Sequence, residues 1–116
     1  ALKIQEKAKD PLKEYEKLLR AFINTAREFE IEPILMTQFN NYEAEKILSS
    51  SELKDYNLFN TKIKEISREL DVNLIDLDSI VPKKSEFFYD GAHLNNLGSE
   101  FVSEKIKEAL IILLEK

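Results

Sequence analysis

Apolar positions fall into three long stretches of helical period separated by two short apolar runs. Leu12, Tyr15, Leu19, Phe22, Ala26 and Phe29 recur at steps of three and four, widened by Leu18 and Ile23, and predict a core-facing helix. Glu14, Glu16, Lys17, Arg20, Arg27 and Glu28 fall on its expected wet side. Asp10-Pro11 marks the start: the carboxylate can accept from an unpaired first-turn N–H, and the proline has none to leave unpaired. Glu30-Ile31-Glu32-Pro33 ends the helix, because a residue before proline is pushed out of the α region. Ile34-Leu35-Met36-Thr37 then reads as a buried parallel strand. Leu53, Tyr56, Phe59, Ile63, Ile66 and Leu70 predict a second helix over residues 52–70, and residues 72–77 a second strand. Leu97, Phe101, Val102, Ile106, Ala109, Leu110 and Leu113 form the stripe of a last helix with Asn95 as its N-cap. The order α-β-α-β-α implies an α/β protein whose parallel strands are joined by right-handed crossovers.

The connections carry the candidate chemistry. Ligands of open α/β sheets bind beyond the carboxyl ends of strands, which makes Thr37, Gln38 and Asn40 candidates for pocket contacts. The competing, preferred reading is a turn, with Asn40 capping a short helix over residues 43–48. Residues 40–51 make a long connection ending in Ser49-Ser50-Ser51; Ser49 with Glu52 matches a capping box better than a nucleophile. Asn57 and Asn60 are poor helix formers and are expected to bond locally or to a neighbouring element. Asp76 and Asp78, two apart in a strand, would share one face as an acid–base or metal pair. A turn and cap is preferred there too, since one histidine cannot complete a metal site. Residues 1–9 read as a frayed helix or an arm without chemistry.

Composition narrows the function classes. The 116 residues are 43% hydrophobic and 34% charged, as in a globular domain, with 17 basic and 22 acidic side chains and a formal charge of −5. The charges are interspersed along helices, so no basic patch for nucleic acid is expected. The chain has no cysteine, hence neither a disulfide framework nor a thiolate site. The longest apolar run, residues 109–114, is too short to span a bilayer. No targeting segment is visible, which leaves cytoplasmic and exported locations both open.

Tyr89-Asp90-Gly91-Ala92-His93-Leu94-Asn95-Asn96-Leu97-Gly98 holds the only histidine and the only two glycines of the chain. Taken alone, Asp-Gly is usually a turn and a lone histidine usually structural. An Asp three residues before a His, on a turn entering a helix, can also fix the imidazole tautomer through one nitrogen and leave the other to accept a proton. Phe87-Phe88-Tyr89 directly before Asp90 are expected to anchor the loop, and Gly98 to mark close packing in the first helical turn.

The residues Asp90-Gly91-Ala92-His93-Leu94-Asn95-Asn96-Leu97-Gly98 resemble the last sequence block of the SGNH (GDSL-type) hydrolases, serine esterases with a flavodoxin-like parallel sheet and flanking helices. The resemblance implies that Asp90 is the orienting carboxylate and His93 the general base of a Ser-His-Asp triad, without metal or organic cofactor. That family carries its nucleophile in a Gly-Asp-Ser motif near the N-terminus, and part of its oxyanion hole in a Gly-x-Asn-Asp motif. No glycine precedes Gly91, so the resemblance covers residues 1–116 as the C-terminal portion of one such domain. The nucleophile is then expected upstream, and the 116 residues alone are expected to be inactive. Two strands with three amphipathic helices also leave apolar edge and face uncovered, which calls for a missing N-terminal segment or a partner chain to complete the sheet. The implied substrate is a small-molecule ester or an acylated carbohydrate or lipid. An acyltransferase on the same scaffold and a non-catalytic α/β interaction module are the alternatives.

Overall fold

The computed structural model describes residues 10–41 and 50–116, and for residues 50–52 the backbone only. The helix expected over residues 43–48 and the arm of residues 1–9 lie outside the described residues, as do Ser49 and the capping box built on it.

Helix α1 runs Pro11–Glu28, and Asp10 Oδ1 accepts from the N–H groups of Leu12 at 3.1 Å and Lys13 at 3.4 Å, the cap expected from the sequence. Strand β1 is Ile34–Met36, α2 Ser50–Glu69 and β2 Asn73–Ile75. A one-turn helix α3, Leu77–Ile80, and a 3-10 turn, Ser85–Phe87, lead to the final helix α4, Asn96–Leu114. The protein is mixed α/β, with β1 and β2 paired in parallel and Leu35 opposite Leu74.

Strand alternation sends side chains to two cores. Leu35 and Leu74 join Ile23, Ile63, Ile66 and Val72 beneath α1 and α2. Ile34 and Ile75 join Leu77, Val81, Phe88 and Val102 on the α4 side. Helices α1 and α2 are further joined by the Tyr15–Phe59 edge contact at 5.1 Å and by the ion pairs Arg20–Glu69 and Lys62–Glu16.

Three expectations need correction. The inward face of α1 is the Tyr15, Leu19 and Ile23 line; Phe22 and Phe29 are 58% and 73% exposed and, with Leu18 and Ile31, line an apolar groove. The apolar stripe on this helix is wider than one core contact can cover, and periodicity alone does not say which part of it is chosen. The second strand stops at Ile75 rather than residue 77, because Asp76 already occupies the N-cap position of α3, so Asp76 and Asp78 do not share a strand face. Leu97, assigned to the buried stripe of the last helix, is exposed.

Helices α1 and α2 end alike. Glu30 and Asp71 take left-handed backbone, with φ of 59° and 52°. Ile31 N–H bonds Ala26 C=O and Val72 N–H bonds Ser67 C=O, each at 2.9 Å, the six-to-one bond of a Schellman ending. Arg27 ties the two endings together, donating to the carbonyls of Leu70 at 2.7 Å and Asp71 at 3.0 Å while paired with Glu32. A Cβ is unfavourable at such φ values. Glu30→Gly is therefore expected to raise stability by about 0.5–1 kcal/mol after the greater chain entropy of unfolded glycine is subtracted, read as a higher urea midpoint at unchanged slope.

Candidate active site

The loop between the 3-10 turn and α4 is a small closed frame. Phe88 and Leu94 form an antiparallel bridge, Tyr89 N–H donates to His93 C=O at 2.8 Å, and Asn95 N–H donates to Phe87 C=O at 3.0 Å. Asn95 then caps α4, its Oδ1 accepting from Gly98 N–H at 2.9 Å and its Nδ2 donating to Glu86 C=O at 2.6 Å. Of the three aromatics expected to anchor this loop, two do. Phe88 is buried with Phe39 beside it, and Phe87 packs on Phe101 with ring centroids 5.3 Å apart. Tyr89 is 75% exposed.

Asp90 and His93 sit on the tip of this frame. Asp90 Oδ1 accepts from Ala92 N–H and His93 N–H, both at 2.8 Å, an Asx turn that folds the chain back on itself. The same carboxylate meets the ring: His93 Nδ1 lies 3.0 Å from Oδ1 and 2.9 Å from Oδ2. The backbone N–H groups of Ala92 and His93, and then the His93 ring, hold the Asp90 carboxyl down at about 2. An ionised carboxylate only accepts, so Nδ1 carries the proton and Nε2 of the neutral ring is the basic nitrogen. The His93 side chain is 76% exposed, which leaves that nitrogen reachable from outside.

The loop after β1 lies against this frame. Asn41 N–H donates to Gly91 C=O at 2.8 Å, and Lys83 Nζ reaches Asn40 C=O at 3.5 Å. Of the pocket candidates, Thr37 and Asn40 are buried and Gln38 is exposed. Thr37 Oγ1 donates to Asp76 Oδ1 at 2.7 Å and accepts from Asp78 N–H at 2.9 Å, stitching together the carboxyl ends of the two strands. Gln38 Nε2 donates to Phe39 C=O at 3.2 Å. The two acids part company: Asp76 pairs with Lys64 at 3.4 Å and Asp78 with Lys83 at 3.2 Å. Burial works against the charged form of Asp76, but the Thr37 and Ser79 hydroxyls and the Lys64 ammonium outweigh it and hold its carboxyl below the usual range. Among the described residues no group of three or more His, Cys, Asp or Glu side chains could hold a metal ion, and no helix is long and apolar enough to cross a membrane.

The sequence predicts for Asn60 only a bond made locally or to a neighbouring element. It is buried in α2, with Oδ1 accepting from Gln38 N–H at 2.8 Å and Nδ2 donating to Gln38 C=O at 2.9 Å. An asparagine inside an otherwise apolar helical stripe was the available signal.

Two outcomes test this geometry. A Cβ on Gly98 would stand 2.1 Å from Phe87 O, a backbone atom that cannot swing aside. Gly98→Ala is expected to lose about 1–3 kcal/mol in urea unfolding, against its better helix propensity. The Asp90 carboxyl carbon is expected to titrate in NMR at about 2. Because the folded value lies below the unfolded one, its contribution to stability is present above the ordinary aspartate range and is lost as pH falls through about 2. Comparison of the chain with protein-family models, with curated proteins and with solved structures finds no match.

Proposed function

We propose that the protein is the acid–base half of a serine-type ester hydrolase, with His93 as general base and Asp90 as its orienting carboxylate. One observation carries this reading: both Asp90 oxygens lie within 3.0 Å of His93 Nδ1 while the ring stands open to solvent. In this reading a serine outside the 116 residues attacks the carbonyl of a carboxylic ester, and Nε2 takes its proton. Asp90 stabilises the imidazolium that forms, and His93 then returns the proton to the leaving alcohol. Hydrogen-bond donors, also outside the chain, hold the oxyanion.

The same reading makes the fold the C-terminal part of a flavodoxin-like sheet of the SGNH (GDSL-type) kind. The parallel β1–β2 pair with apolar cores on both faces supports it, as does the placement of Gly91 against the loop that leaves β1. The described sheet has two strands, and each strand has one edge that the other does not cover. Further strands from outside these residues would pair with those edges, and the groove of Leu18, Phe22, Phe29 and Ile31 is apolar surface for them to cover.

The test is turnover of a p-nitrophenyl ester by the protein that includes the nucleophile. His93→Ala is expected to lower kcat by roughly 10⁴-fold. Undiminished turnover in His93→Ala removes this base from the reaction.

A further inference from the structure

Gln38 is the first residue beyond β1 whose backbone faces a side chain from another element on both its polar groups. Asn60 pairs with its N–H and its C=O at once, at 2.8 and 2.9 Å, much as a neighbouring strand would. This amide is 3% exposed, so the two bonds are made where water does not compete freely. The direction in which the chain leaves β1 is thus set by a side chain of α2. Three residues on, Asn41 N–H donates to Gly91 C=O at 2.8 Å, and Gly91 lies between Asp90 and His93 in the chain. Phe39 adds an apolar weld to the same frame, its ring centroid 6.1 Å from that of Phe88.

The internal geometry of the Asp90–His93 pair is local, made by an Asx turn over four residues. Its placement relative to the sheet is not local. The bond from Asn41 N–H to Gly91 C=O joins this turn to the chain that leaves the carboxyl end of β1. We propose that Asn60 is a positioning residue for the Asp90–His93 pair, holding, through Gln38 and Asn41, the segment on which Gly91 is docked. The functional meaning of that placement rests on the hydrolase reading above; the mechanical coupling does not. A general base must meet its nucleophile within hydrogen-bond reach, and an error of about 1 Å in placement can cost about 10²-fold in rate.

The chain offers a clean probe, because it has one histidine and two glycines. Labelling the full chain with ¹⁵N-glycine and ¹⁵N-histidine gives backbone amide signals for Gly91, Gly98 and His93 alone. In Asn60→Ala the amide order parameters of Gly91 and His93 are expected to fall from about 0.85 to below about 0.6, with Gly98 unchanged. Asn57→Ala, at an exposed position of the same helix, is expected to leave all three unchanged. Gly91 and His93 retaining wild-type order in folded Asn60→Ala would overturn the proposal, as would an equal loss at all three amides. If Asn60→Ala does not fold, native-state hydrogen exchange of the unmodified chain decides. Common opening of the Gln38 and Asn41 amides supports the coupling, and exchange at Asn41 more than tenfold faster than at Gln38 overturns it. In the protein with its nucleophile, Asn60→Ala is expected to lower kcat by about 10²-fold with KM little changed. The NMR and exchange readouts need no turnover, so inactivity of the hydrolase reading and failure of this coupling appear in different experiments.

Discussion

Asp90 Oδ1 accepts from two successive backbone N–H groups while the same carboxylate holds a ring nitrogen, and the loop from residue 86 to residue 98 is arranged around that concentration of donors. The two backbone bonds keep the carboxylate charged and fixed, and a fixed charge is what can orient an imidazole. The turn and the ring orientation therefore share one cause. An uncharged side chain at position 90 could keep part of the turn but would lose the preference for a proton on Nδ1. The bridge between Phe88 and Leu94 and the packing of Phe87 and Phe88 join the base of this loop to the second core.

Exposure limits what this pair does alone. The Asp90 and His93 side chains are 52% and 76% exposed, so their attraction is weakened by water and screened by salt. Preorganised electrostatics gain strength where water is excluded. Among the described residues each strand has one edge that the other does not cover, and the groove on α1, beside Ile31 and Pro33, is open apolar surface at the other end of β1 from the tip.

How much of this was legible in the sequence depended on the range of each interaction. Asp10-Pro11 and Asn95 were readable because a cap involves residues a few positions apart. The spacing of Asp90 and His93 was readable for the same reason. Gly98 marked a close approach, but its partner, the Phe87 carbonyl, was not legible in the sequence. Nor was the inward face of α1, because Leu18, Phe22 and Phe29 are as apolar as the residues that are buried, and only the tertiary partner selects among them. Asp76 looked like a strand-end acid. Its actual work is to accept from Thr37, 39 positions earlier, across the parallel pair.

That long-range stitching gives the carboxyl end of the sheet its character. With three-residue strands the ladder itself fixes little, and a parallel pair this short is weak without help. The help is side-chain hydrogen bonding at one end: Thr37 to Asp76 and Asp78, Asn60 to Gln38, and Lys83 between Asp78 and Asn40 C=O. Buried polar groups cost stability unless they are satisfied together, so apolar residues would have been the cheaper filling for a site that only had to pack. A polar belt at this end, with the Asp90–His93 loop bonded onto it, is better explained by the need to hold several chain segments in one fixed geometry than by stability alone.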